Sequence, residues 1–152
     1  MSETQSPNYL VRRVNASDYF NGHLELYKQL TIINPDEMSE ESYKKFIDSL
    51  NNEHMIFVVW SLEDKKIVGT GTILIETKLI HNFGKVCHIE DVVVDKEHRG
   101  KGIGNSLIDA IITYAKTKDV YKIILDTQEA TTKFYKKSGF EIKGVQMAIY
   151  NK

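Results

Sequence analysis

Apolar residues recur at helical spacing in two stretches before residue 50, and at strand spacing after it. The first stretch predicts an amphipathic helix over residues 17–30. In the second, Ser39 and the two glutamates that follow it are typical of a capped helix start. Three β-prone runs come next, and their short polar connections predict an antiparallel meander. These runs cover residues 55–61, 67–76 and 86–94.

Helical spacing returns at residues 103–114 and is followed by a short apolar strand at residues 122–125. Residues 129–138 predict a further helix, which Gly139 ends. Residues 145–150 alternate apolar and polar side chains and predict a last strand. This order of elements predicts an α+β domain, with helices packed on a mostly antiparallel sheet.

Length and composition fit one globular domain. The chain has 152 residues, 41% of them hydrophobic. Residues 1–8 are polar and are expected to form a disordered lead, so that residues 9–152 make up the single domain. The net charge of −1, with both signs interspersed, gives no reason to expect nucleic acid or an anionic membrane as a partner.

The cysteine, histidine and apolar patterns argue against a disulfide-linked, a metal-binding and a membrane-spanning protein. Cys87 is the only cysteine, so no disulfide can form within the chain, and a small buried apolar role is expected for it. The histidines form no ligand cluster, and no bound metal is expected. No apolar run reaches the length of a membrane span, and without a leader the expected location is cytoplasmic.

The most informative stretch is an apolar strand that runs into a glycine-dense loop, with a helix directly after it. Gly100, Gly102 and Gly104 let backbone N–H groups face a ligand, and Arg99 and Lys101 add two cations. The first N–H groups of the helix have no internal partner and favour negative charge. The glycine spacing fits neither a P-loop nor a dinucleotide-binding fingerprint. The stretch therefore predicts a site for a pyrophosphate.

Two segments carry a resemblance to a known superfamily. Residues 99–104 match the R/Q-x-x-G-x-G/A signature of the GNAT N-acetyltransferases, and residues 134–140 are similar to their later F-Y-x-x-x-G-F segment. The resemblance implies a mixed, mostly antiparallel twisted sheet of about six to seven strands and about four helices. It also implies that acetyl-CoA lies between two splayed parallel strands. The residues implied in binding it are Val92, Val93, Val94, Arg99, Gly100, Lys101, Gly102, Ile103, Gly104, Asn105, Ser106, Thr131, Phe134, Tyr135 and Lys137.

Longer strings resemble one family within that superfamily, the glucosamine-6-phosphate N-acetyltransferases. They are residues 30–31, 78–81, 88–94 and 121–126. This implies acetylation of the sugar amine, a step toward UDP-N-acetylglucosamine, by a homodimer whose last strand lies near the partner. The residues implied in binding the sugar phosphate are Thr31, Lys78, Leu79, Ile80, His81, Glu90, Asp91 and Asp126.

The resemblance also implies roles in catalysis. Tyr135 would hydrogen-bond the coenzyme A sulfur and assist the leaving thiolate, although a short helix could also carry it as a core tyrosine. Glu90 and Asp91 would contact the sugar and its amine, but neighbours on a regular strand face opposite sides, so a β-bulge would have to re-aim one of them. Asp126 would touch the sugar, and its alternative role is to cap the next helix. A backbone N–H of the strand at residues 92–94 would serve as oxyanion donor.

Three positions depart from the family pattern. Tyr150 stands where an arginine commonly reaches the partner's sugar phosphate, and Lys152 or Lys143 could substitute for it. Thr131 replaces an asparagine that contacts the coenzyme, and the glycine expected after Leu30-Thr31 is missing from Ile32-Ile33-Asn34. The alternatives are an acetyltransferase for lysine, protein N-termini or polyamines, and a non-catalytic acetyl-CoA-binding module.

Overall fold

The computed structural model describes residues 4–6 and 8–151. One sheet contains six strands in chain order, and every neighbouring pair is antiparallel except the last, which is parallel. Five strands have five residues or more, and the first is a three-residue edge strand. The strands are β1 (Thr4–Ser6), β2 (Tyr9–Arg13), β3 (His54–Ser61), β4 (Lys66–Thr77), β5 (Lys85–Val94) and β6 (Val120–Leu125). The predicted meander and the mostly antiparallel α+β fold are confirmed.

Helical segments cover both faces of the sheet. The α-helical ones are α1 (His23–Leu26), α2 (Glu40–Ser49), α3 (Ile80–Phe83, an irregular turn), α4 (Ile103–Lys116) and α5 (Thr132–Lys136). The 3₁₀ segments are Ala16–Asn21, Tyr27–Gln29, Pro35–Glu37, Lys96–His98 and Glu129–Thr131. Among these described segments, none is long and apolar enough to cross a membrane.

The core has two layers, one on each side of the sheet. On one side α4 buries Leu107, Ile108 and Ile111 completely against strand residues such as Phe57 and Ile89. On the other side α1 and α2 cover the sheet through smaller clusters around Leu26 and Tyr43. The parallel crossover from β5 to β6 runs through α4, so the loop that opens α4 lies at the carboxyl end of β5.

The helix predicted over residues 17–30 is broken into three parts. Gly22 has φ 81°, a left-handed conformation that ends the 3₁₀ segment capped by Asn15. Only residues 23–26 are α-helical, and residues 27–29 tighten again into a 3₁₀ turn. Apolar spacing predicts which side chains face the core, but Phe20 is 70% exposed because the break turns it outward.

Within the lead predicted at residues 1–8, residues 4–6 form β1, which pairs with β2 from Thr4↔Val11 to Ser6↔Tyr9. A free edge of β2 offers backbone partners to any neighbouring extended segment, whatever its side chains. The rest of the predicted lead, residues 1–3 and 7, lies outside the described residues, and residue 8 is part of a turn.

The last strand predicted at residues 145–150 is also wrong within this chain. Residues 140–151 have no regular structure, and Val145, Met147 and Ile149 are more than 90% exposed. An alternating pattern gives strand tendency only, and a strand forms when an edge pairs with it and buries one of its faces. No strand of the described part of the chain does so here.

Candidate active site

The strands β5 and β6 separate at the centre of the site. Their parallel pairing begins at Lys85↔Val120 and ends at Ile89↔Leu125. Beyond Ile89, β5 runs on to Val94, where it pairs with β4 on its other side only. The edge of β5 at residues 90–94 is therefore open, and its backbone groups face the space that β6 leaves.

The loop at residues 99–102 continues β5 into α4 and forms an anion cradle. Gly100 and Gly102 have φ 78° and 80°, left-handed values that glycine adopts without steric cost. The first helical hydrogen bond runs from Ser106 N to Gly102 O, so the N–H groups just before Ser106 have no helical partner. The first turn carries no acidic side chain, and Gly102 provides no side-chain cap. These features fit a pyrophosphate well.

The start of α4 packs directly against α5. A Cβ on Gly104 would lie 2.8 Å from Cζ of Phe134, so only glycine lets the two helices approach this closely. The Phe134 ring meets the Tyr135 ring edge-on, with centroids 4.9 Å apart. Burial raises the pKa of the Tyr135 phenol, which therefore keeps its proton at neutral pH. A protonated phenol can donate to a thiolate.

A β-bulge in β5 interrupts the strand alternation that would otherwise place Glu90 and Asp91 on opposite faces of the sheet. Pairing with β4 moves from Thr72↔Glu90 to Thr70↔Val93, so Asp91 and Val92 lie opposite Gly71 alone. Asp91 takes φ 51°, the left-handed conformation of an inserted residue. As a result Ile89 and Val92 both pack on the α4 side, and the acidic pair between them is released from strict alternation.

Three carboxylates come close together beside the open edge. The pKa of Glu90 is raised by burial first, and then by the negative charges of Asp126 and Asp91. Asp126 follows β6 directly and accepts a hydrogen bond of 3.2 Å from Gln146 Nε2. The next helical segment has Gln128 as its N-cap residue, so Asp126 does not cap it. Such a cluster suits an ammonium group or an amine with hydroxyl neighbours.

The end of α1 lies next to the bulge. The pKa of the Tyr27 phenol is raised by burial and, to a smaller extent, by the charge of Asp91. Thr31, implied in sugar binding, donates its backbone N–H to Tyr27 O at 3.0 Å. Sequence reasoning treated Tyr27 only as a core residue and did not identify Gln146, because helical spacing and strand alternation carry no signal for a contact with Asp91 or Asp126.

Residues 78–81 lie far from these carboxylates. They precede β5, whereas Glu90 lies five positions beyond its first residue Lys85, about 17 Å along a strand. Lys78 pairs with Glu76 at 3.2 Å, and the His81 ring stacks on Tyr121 with centroids 4.3 Å apart. Leu79 and Ile80 are mostly exposed. One chain therefore does not bring this part of the implied sugar site to Glu90.

Two residues implied in coenzyme binding are less well placed for it. The Thr131 hydroxyl donates to Gln128 O at 3.0 Å, so its proton serves the turn that opens α5. Lys137 is the exposed C-cap of α5. No group of three or more potential metal ligands occurs in residues 4–6 and 8–151.

The sequence profile of the acetyltransferase (GNAT) family matches residues 22–140, which contain the cradle, the bulge and Tyr135. The chain belongs to the GNAT acetyltransferase family. Glucosamine 6-phosphate N-acetyltransferase of Arabidopsis thaliana is 36% identical over 152 residues, covering 99% of each chain. A protein of that name from Candida albicans is 35% identical over 141 residues, covering 91% of this chain and 93% of its own.

Solved structures agree with this family assignment. The crystal structure of glucosamine-6-phosphate N-acetyltransferase from Arabidopsis thaliana superimposes with a TM-score of 0.88 at 35% identity, over 93% of this chain and 97% of that one. An acetyltransferase of Trypanosoma brucei gives a TM-score of 0.87 at 32% identity, over 95% of this chain and all of its own.

Acetyl-CoA is the cosubstrate that GNAT acetyltransferases use, and the geometry of this one fits it. The cradle offers unpartnered N–H groups and two cations to the pyrophosphate, and the open edge of β5 can pair with the amides of pantetheine. Tyr135 packs against the same core cluster as Val92 and Val94 of that strand, and Glu90 and Asp91 belong to the strand itself.

Proposed function

We propose that this GNAT acetyltransferase transfers the acetyl group of acetyl-CoA to the amine of glucosamine 6-phosphate. The products are N-acetylglucosamine 6-phosphate and coenzyme A, and the reaction is a step toward UDP-N-acetylglucosamine. The observation that carries the proposal is the cluster of Glu90, Asp91 and Asp126 beside the open edge of β5. The names of the relatives in Arabidopsis thaliana and Candida albicans support the choice of acceptor.

The chain's groups divide the work of direct transfer in a ternary complex. The carboxylates orient the amine, and Glu90, through its raised pKa, takes up the amine proton directly or by way of one water. A backbone N–H on the open edge of β5 stabilises the oxyanion as the new C–N bond forms. Tyr135 donates its proton to the sulfur as the C–S bond breaks. Positioning two bound substrates supplies the remaining advantage.

A homodimer is part of the same proposal. Residues 78–81 precede Lys85, which itself lies about 17 Å along β5 from Glu90, so a partner subunit would have to deliver such a loop to the sugar. The exposed alternation of Val145, Met147 and Ile149 suits a strand that pairs across a subunit interface. Replacing these three residues by serine should give a monomer in light scattering and abolish activity. A wild-type monomer at micromolar concentration would contradict the dimer.

Free-thiol release from acetyl-CoA tests the acceptor. The purified protein would be compared on glucosamine 6-phosphate, glucosamine, glucosamine 1-phosphate and a lysine peptide. Fast release with glucosamine 6-phosphate alone is the expected result. Release with another amine would keep the acetyltransferase and reject the sugar phosphate, whereas binding of acetyl-CoA with no release on any amine would favour a non-catalytic module. The cytoplasmic location stays a prediction.

A further inference from the structure

The cradle is fixed by the segment in front of it rather than by contacts of its own. A Cβ at Gly100 or Gly102 would meet nothing within 4 Å, so neither glycine is packed. Arg99 Nε does donate to Val94 O at 3.0 Å, but that bond joins the loop only to its own strand. The 3₁₀ segment Lys96–His98, which immediately precedes the loop, is instead tied to two other parts of the fold.

His98 makes the central tie. Its side chain is buried, and Nε2 lies 2.7 Å from Asp64 Oδ2 in the turn between β3 and β4. Because a carboxylate only accepts, Nε2 must carry the proton of this bond. The bond lowers the pKa of Asp64, which therefore stays ionised at neutral pH. The other ring nitrogen, Nδ1, lies 3.7 Å from Asp95 Oδ2 and makes no hydrogen bond, so the bond to Asp64 is what holds the ring.

The groups around this tie are themselves fixed. Ser61, which is 1% exposed, donates to Asp64 Oδ2 at 2.9 Å and accepts from Asp64 N at 3.1 Å. Asp95 accepts from Lys66 Nζ at 3.1 Å, and the Tyr9 ring meets the His98 ring edge-on. The imidazole therefore joins a rigid hairpin turn to the residue just before Arg99.

Gln29 makes an independent tie from the other side. Its Oε1 accepts from Lys96 N at 2.8 Å, and its Nε2 donates to Asp95 Oδ1 at 3.4 Å. The two ties reach the same short segment from the β3–β4 turn and from the 3₁₀ segment Tyr27–Gln29 that follows α1. A loop anchored in this way enters binding already ordered, so that coenzyme binding costs less conformational entropy.

We propose that His98, held by Asp64, is a positioning residue for the pyrophosphate cradle and thereby sets the affinity for acetyl-CoA. It touches no reacting atom, so its loss should weaken coenzyme binding without slowing the chemical step. Neither the cradle motif nor the acceptor carboxylates include it, and the proposal holds for any acceptor amine.

The test is a double-mutant cycle on coenzyme affinity, with His98→Gln, Asp64→Asn and the double variant. We expect KM for acetyl-CoA to rise about tenfold in His98→Gln and about threefold in Asp64→Asn, the usual range for losing a charge-assisted hydrogen bond. The double variant should be no worse than His98→Gln alone. In all three, kcat at saturation and KM for the amine should change less than twofold.

Calorimetric titration with coenzyme A compares the affinities of the same variants without any acceptor amine. A wrong assignment of the sugar substrate therefore cannot be mistaken for failure of the proposal for His98. His54→Gln, an imidazole change on β3 away from the loop, is the matched control and should leave affinity unchanged. Asp64 is partly exposed in a turn, so Asp64→Asn should fold even if His98→Gln does not. Unchanged affinity in Asp64→Asn, additive effects in the double variant, or an equal fall in kcat would each overturn the proposal.

Discussion

The donor and acceptor sides of the site lie along one open strand edge but are specified differently. The cradle that receives the coenzyme is a continuous stretch, in which Gly100, Gly102 and Gly104 act through their own backbone and α4 begins at once. The acceptor side gathers Glu90 and Asp91 from a bulge and Asp126 from the next strand.

This difference indicates how far the effect of a substitution on the donor side or on the acceptor side should spread. The backbone conformation of a contiguous motif is local, and its anchors reach only the segment just before it, so damage there should stay on the coenzyme side. A cluster drawn from two strands depends on register, and the proposed sugar site would further depend on residues 78–81 of a partner subunit. Substitutions that separate the two sides kinetically are therefore the sharpest tests of the comparison.

The largest effect is expected at Tyr135, where the two sides meet. Tyr135→Phe removes the proton donor for the leaving thiolate but keeps the ring that packs on Phe134. We expect kcat to fall about 100-fold, as for loss of a general acid, with less than a threefold change in KM for acetyl-CoA. Steady-state kinetics on both substrates checks this, and an unchanged kcat would remove Tyr135 from the mechanism.

Glu90→Gln should act on the acceptor side alone, lowering kcat about 30-fold and leaving coenzyme affinity intact. Because Glu90 must be ionised to accept a proton, wild-type kcat should rise with pH through its pKa, which lies above the ordinary carboxyl value. Asp126→Asn removes one neighbouring negative charge and should move that rise to lower pH.

The pH profile of kcat, rather than of kcat/KM, is the measurement for Glu90, since free-amine ionisation enters only the latter. The rise should be absent in Glu90→Gln. A profile for Glu90→Gln that matches wild type would show that another group takes the proton.

Gly102→Ala should act on the donor side alone. Alanine at φ 80° is strained by about 1–2 kcal/mol, and relieving the strain would turn N–H groups away from the pyrophosphate. We expect KM for acetyl-CoA to rise about tenfold, with KM for the amine unchanged. Ala110→Gly, a substitution of the opposite sense inside α4, is a control for general helix damage. An equal rise in both KM values would show that the two sides are not separable.

The sequence predicts the backbone geometry of the cradle more fully than that of the acidic cluster, for physical reasons. Gly100 and Gly102 need left-handed φ whatever surrounds them, so the motif alone predicts the loop. No sequence motif marks the position of the bulge, because Asp91 takes φ 51° only through its pairing with β4. The resemblance suggested that a bulge was present, but its position became known only from the register.

The wrong predictions share one cause. The local pattern of apolar and polar residues does not indicate which other segment a stretch of chain pairs with or packs against. Gly22 breaks the first helix although the apolar spacing continues through it, and residues 145–150 alternate without an edge to pair with. Conversely, residues 4–6 lack a strand pattern but pair with the free edge of β2. The tie between His98 and Asp64 spans 34 positions and could not be read from spacing.

The last effect has no consequence for activity at pH 7 and concerns the stability of the elements that support the acceptor side. His23 in α1 joins Tyr43 of α2 at 2.6 Å and Thr70 of β4 at 3.0 Å. Thr70 donates its own proton to Phe57 O, so His23 Nε2–H donates to Thr70 and Nδ1 accepts from Tyr43. Burial lowers the pKa of His23 to about 4, against about 6.5 in an unfolded chain.

Above pH 6.5 the ring is neutral in both states, and His23 adds no pH dependence. As the pH falls from 6.5 toward 4, the unfolded chain binds a proton that the folded chain refuses, so this contribution to the free energy of unfolding falls by about 3 kcal/mol. Glutamine in His23→Gln keeps a donor and an acceptor but cannot titrate. The free energy of unfolding of this variant should therefore fall less than that of wild type between pH 7 and pH 4.5. Urea unfolding at the two pH values measures the difference, in which carboxylate contributions common to both proteins cancel. Equal losses of unfolding free energy in the two proteins would mean that the fold accommodates a protonated His23. In that case α1 would not make the acceptor side more sensitive to acid than the cradle.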